Sequence, residues 1–133
     1  MRLFTRPLIL TLAFALAVPM SAASAHPRLV KSAPAADSRS TEAPRQLTLT
    51  FNESLDLALT RVTLQHGEMP VQLDSLRLAA DDDKTVIAKT TGTLAPGRYT
   101  VRWQVSGDDG HPVRGSFSFE VLAANAPARP PQR

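Results

Sequence analysis

Between Tyr99 and Val121 the chain reads YTVRWQVSGDDGHPVRGSFSFEV, and two alternating runs flank one loop. Tyr99, Val101, Trp103 and Val105 alternate with Thr100, Arg102 and Gln104, and Phe117, Phe119 and Val121 alternate with Ser116, Ser118 and Glu120. A period of two puts successive side chains on opposite faces, which is the pattern of a half-buried strand. The segment Ser106 to Pro112 holds two glycines, two aspartates and a proline, so it turns the chain and does not extend either strand. Two apolar strands therefore display Asp109 and His111, separated by one glycine, on the tip of a hairpin.

The same alternation recurs along the chain. Leu47, Leu49 and Phe51 are spaced by threonines, Val62 and Leu64 mark a further strand, and Thr85 to Thr91 reads as another. Val71 to Leu73 and Leu76 to Leu78 are candidate short edge strands, and Leu55 to Leu59 is an ambiguous apolar piece. Leu29 follows Pro27 in an extended start and is expected at a sheet edge. Lys31 to Arg45, punctuated by Pro34 and Pro44, is a polar connection; His66 to Pro70 and Asp81 to Lys84 are turns. About seven short strands and no helical period predict an all-β, immunoglobulin-like antiparallel β-sandwich of Greek-key type.

Residues 1–25 read as an export signal. Arg2 and Arg6 precede an apolar run from Pro7 to Val18, and Ala23-Ser24-Ala25 fits a cleavage site. The run is too short for a stable membrane anchor. Cleavage after Ala25 leaves 108 residues: a sandwich over 26–122 and a tail, 123–133, too poor in apolar residues to pack. Losing Arg2 and Arg6 takes the 15 basic residues to 13 against 12 acidic ones, which gives nucleic acid no electrostatic footing. With no cysteine, disulfides, thiolate chemistry and zinc ribbons are excluded. The expected compartment is the periplasm.

Cleavage at Ala25 also has a chemical consequence, because it makes His26 the first residue. Its free amine and imidazole Nδ1 can close a six-membered chelate ring on one metal ion. Pro27 has no N–H to deprotonate, so the remaining ligands must come from elsewhere in the fold. His111 offers an imidazole and Asp109 a carboxylate. Three nitrogens and one oxygen suit tetragonal Cu(II). Taken singly, a histidine behind a cleavage site is commonly incidental, and Asp-x-His in a turn is commonly a solvated pair. His66 reads as a surface turn residue, and Asp81 to Asp83 lack the spacing of a calcium loop.

The segments HPRLVKSAPA, LTFNESLD, LAPGRYTVRW and DGHPVRGSFSFEV together resemble the CopC-type periplasmic copper-binding proteins, over residues 26 to 122. The resemblance implies a small β-sandwich that binds Cu(II) through His26 with its amine, Asp109 and His111, with Glu53 close to the copper. Some members carry a methionine-rich stretch for Cu(I), whereas the corresponding loop here holds only Met69. Soft Cu(I) wants several thioethers, so specialisation for Cu(II) is expected.

The expected role is that of a monomeric Cu(II) carrier or buffer, not an enzyme, handing copper to a partner such as an inner-membrane copper transporter. A copper oxygenase using the amine and two histidines is the first alternative. It needs an open coordination position, which Asp109 is expected to fill, and an exposed aromatic platform, against which Trp103 is expected to be buried. A metal-free sandwich serving as an interaction module is the second.

Overall fold

β-Branched and aromatic residues at alternate positions pair into nine strands, seen in a computed structural model that describes residues 26–124. The export signal expected over residues 1–25 and the tail beyond residue 124 lie outside the described residues. The strands are β1 (Leu29–Ala33), β2 (Arg39–Ser40), β3 (Gln46–Phe51), β4 (Arg61–His66), β5 (Met69–Val71), β6 (Leu73–Ala79), β7 (Asp82–Thr90), β8 (Gly97–Ser106) and β9 (Pro112–Val121). They form a four-stranded sheet in the order β1-β3-β7-β6 and a five-stranded sheet in the order β2-β9-β8-β4-β5. Hairpins β4–β5, β6–β7 and β8–β9 stay within one sheet, and the connections between them cross to the other. This is the expected immunoglobulin-like sandwich.

The inward faces carry the alternating apolar residues. Leu47, Leu49 and Phe51 of β3 and Val86 and Ala88 of β7 meet Leu64 of β4, Val101 and Val105 of β8 and Phe119 and Val121 of β9. Tyr99 is buried with them, and its hydroxyl donates to the Ala95 carbonyl at 2.7 Å, four residues upstream. Burial raises the Tyr99 pKa above that of a free phenol, against the opposing effect of the Ala95 hydrogen bond. A tyrosine fastened this way at the start of a strand is a recurrent corner of such sandwiches.

Trp103 is 9% exposed and meets Phe51 edge-to-face at 5.1 Å between ring centroids. Gly115 lies directly opposite on β9, and a Cβ there would overlap the indole ring. That close approach is why glycine interrupts the otherwise apolar inner row of β9. Among the described residues, the Trp103 indole N–H is the buried side-chain donor without a partner, so packing and not hydrogen bonding holds the ring. Trp103 is therefore a core residue, as expected, and offers no aromatic platform.

Some local features differ from the sequence reading. Nine strands replace about seven, because β2 is only two residues long, both exposed, and pairs in parallel with the C-terminal end of β9. So short a pairing leaves no alternation to read. β1 runs on to Ala33, through residues read as connection. The two short pieces read as edge strands are edges of different sheets, β5 of one and β6 of the other. Leu55 to Leu59 becomes a buried leucine followed by a 3-10 turn over Leu57–Leu59.

Candidate metal centre

One end of the sandwich gathers the ends of β3 and β8 and the beginnings of β1, β4 and β9. The chain enters at this end. Pro27 is fully buried, although it is the second described residue. Arg28 is then held by Asn52 on both sides. The Arg28 N–H donates to Asn52 Oδ1 at 2.6 Å, and the Asn52 N–H donates to the Arg28 carbonyl at 3.1 Å. The anchored pair leaves His26 exposed at the rim of the sheet.

The other half of the site comes from the loop between β8 and β9. Its base is closed by the Gly110 N–H donating to the Gly107 carbonyl at 3.0 Å, with Gly110 at φ 72°. Asp109 Oδ1 accepts from the His111 N–H at 3.1 Å, and Asp109 Oδ2 lies 3.4 Å from His111 Nδ1. The backbone donor of His111 is the main cause holding the Asp109 carboxyl below the usual carboxylate range. Partial burial opposes it, while the His111 side chain and the charges of His111 and His26 assist it. Asp109 is thus an anion near neutral pH.

The fold brings these halves together: the rings of His26 and His111 stand 6.4 Å apart, centroid to centroid, and are tilted by 34°. Two imidazoles facing one ion from opposite sides, each bonded at about 2 Å, would sit roughly 6 Å apart, a spacing that the two ring centroids match. The His111 side chain is 73% exposed, and that of Asp109 25%. Among the described residues no three His, Asp or Glu side chains converge on one point. His111 is shared between the Asp109 carboxylate and the His26 ring, and the three do not form a closed cage. In the unprocessed chain, moreover, the His26 nitrogen is an amide bonded to Ala25.

Glu53 lies on the supporting segment and accepts from the Asn52 side-chain amide at 3.4 Å. Asn52 was not among the residues singled out from the sequence. An amide that will not titrate and lies 26 positions from His26 carries no signal of this role. Its position at the exit of a clear strand, next to Glu53, was the one available hint.

His66 lies away from this site, and not in a turn. It ends β4, stacks on Tyr99 at 4.5 Å with 16° between planes, and pairs across the strands with Met69. The turn itself is Gly67, at φ 58°, and Glu68. Met69 is 71% exposed. The sequence pattern missed the stacking because His66 and Tyr99, 33 positions apart, meet only through the β4–β8 register.

Comparison with known proteins follows the same residues. The profile of the CopC domain matches residues 29–122. Copper resistance protein C of Xanthomonas campestris pv. juglandis is 36% identical over 107 residues, covering 76% of this chain and 84% of that protein. Protein YobA of Escherichia coli K12 is 34% identical over 99 residues, covering 73% and 79%. The crystal structure of PcoC, a methionine-rich copper resistance protein from Escherichia coli, superposes with a TM-score of 0.67 at 32% identity, covering 73% of this chain and 99% of that one. A two-sheet sandwich with a tyrosine corner, matched over nearly all of its described length, places this chain in the CopC family.

Proposed function

We propose that the exported, processed protein is a Cu(II) carrier or buffer whose ion is held by the His26 amine and imidazole, by His111 and by Asp109. The reading rests on one observation above the rest. Residues 85 positions apart, at the export junction and in the β8–β9 loop, meet with their rings 6.4 Å apart. Cu(II) is the ion because the set is three nitrogens and one carboxylate oxygen, with no thiolate in the chain.

The supporting residues have distinct tasks. Buried Pro27 and the Asn52 clamp fix the chain just behind His26, so less freedom is lost when the ion binds. Asp109 neutralises part of the ion's charge, and Glu53 adds negative potential from the segment beside the clamp. Copper is cargo here, and the role is carriage in the periplasm, with delivery to a membrane partner.

The test is a Cu(II) titration of protein whose first residue has been verified as His26. One equivalent should bind, with an electron paramagnetic resonance spectrum of a nitrogen-rich tetragonal site. A variant with one extra residue before His26 should lose most of that affinity. Equal binding by the two forms would remove the amine from the ligand set, and no binding by the processed form would leave the metal-free interaction module.

A further inference from the structure

The outer face of the five-stranded sheet carries five arginines, and the fold treats them in two ways. At the end away from the metal loop, Arg39 Nε lies 2.7 Å from Glu120 Oε2 and Arg98 lies 4.0 Å from Asp37. At the loop end stand Arg61, Arg102 and Arg114, all exposed. Arg61 and Arg114 flank Gln104 in one cross-strand row. Arg102, flanked by Thr63 and Ser116, occupies the next row. Arg102 is therefore a diagonal neighbour of both other arginines, at about 7–8 Å. Among the described residues no ion pair joins any of the three to a carboxylate.

Like charges this close on one sheet face repel one another, and solution screening acts over about 8 Å at physiological ionic strength. Among the described residues no carboxylate offsets that repulsion. Just before Arg61, the 3-10 turn leaves Leu57 and Leu59 exposed, by 38% and 44%. Arginine beside exposed apolar side chains, with hydroxyls and amides between, has the composition of a protein-binding surface. Three cations are fewer than the four to eight of a lipid-binding basic cluster.

We infer that the face formed by Arg61, Arg102 and Arg114, bordered by Leu57 and Leu59, docks an acidic surface of a protein partner. Arg114 follows His111 by three residues, so a partner seated here lies against the metal loop. Delivery of an ion from that position rests on the copper reading; the docking does not, and it is tested without metal.

The experiment titrates metal-free, 15N-labelled processed protein with poly-L-glutamate at low salt and follows the amide resonances. Shifts should be confined to the outer rows around Arg61, Arg102 and Arg114 and to the turn before them, and should shrink at 0.15 M salt. The variant Arg61→Gln/Arg102→Gln/Arg114→Gln should bind about tenfold or more weakly, with an unchanged or higher melting temperature. Arg39→Gln/Arg98→Gln should bind like the wild type. Shifts centred on Arg39 and Arg98, or no localised shifts, would overturn the inference. So would a lower melting temperature of the triple variant, which would make the arginines structural. Recruitment to phosphatidylglycerol vesicles without binding of poly-L-glutamate would assign the face to a membrane instead.

Discussion

The two ends of the sandwich each carry histidine, and they use it differently. At one end His26 precedes β1 and His111 lies in the β8–β9 loop, with Asp109 against His111 and the two ring centroids 6.4 Å apart. At the other end His66 is the last residue of a strand, laid flat on Tyr99, which in turn stacks on Phe119 at 5.3 Å. A histidine is available to a ligand when the backbone that presents it is fastened and its side chain stays exposed at the rim. The first end fastens backbone through Pro27, Asn52 and the Gly107–Gly110 turn. The second packs the ring itself into the aromatic row. Rigid elements with open loops are the usual way a sandwich presents a site.

The sharpest break of this contrast is chemical. Extending the chain by one residue before His26, or replacing His111 by alanine, should lower Cu(II) affinity by orders of magnitude while the metal-free melting temperature holds. His66→Ala should leave the affinity unchanged, and loss of copper binding in that variant would erase the distinction between the ends. Next in size is Trp103→Ala, which removes the ring that fills the space over Gly115 in the core. Truncating so large a buried side chain costs about 3–5 kcal/mol, to be read by chemical denaturation.

At the far end, Gly97 has φ 143°, and a Cβ there would run into the His66 ring. Gly97→Ala should destabilise the fold by about 1–3 kcal/mol and leave Cu(II) binding intact, which calorimetry and a titration would separate. At the His26 end, Asn52→Ala removes the acceptor for the Arg28 N–H. A lost hydrogen bond of this kind is worth about 1–2 kcal/mol. Amide exchange at Arg28 should quicken, and Cu(II) affinity should fall about tenfold, mostly through greater freedom of the chain start.

The smallest effect concerns pH. The folded Asp109 carboxyl titrates below its ordinary value of 3.8. Its contribution to stability is complete above that ordinary value and disappears as pH falls through the lower folded value. Asp109→Asn should therefore be slightly less stable than the wild type near neutrality and match it below the lower folded value, which flattens the acid limb of the stability curve. A 13C titration of the Asp109 carboxyl checks the direction directly, and a midpoint above 3.8 would reverse it.

Much of the frame was legible beforehand for a local reason. Alternation along Leu47–Phe51, Tyr99–Val105 and Phe117–Val121 is a property of neighbours in the chain, and so is the turn chemistry of Ser106 to Pro112. Both are fully present in the sequence, and they carried the sandwich, the display of Asp109 and His111, and the family. Contacts between distant strands are not local. The Asn52 clamp on Arg28, the stacking of His66 on Tyr99 and the gathering of Arg61, Arg102 and Arg114 on one face depend on which strands become neighbours and in what register. A register shift of one residue would move every one of those side chains to the opposite face. The sequence alone determined most of the strands and the chemistry of the candidate ligands; only the tertiary structure, by pairing β1 with β3 and β8 with both β4 and β9, decided which of them meet.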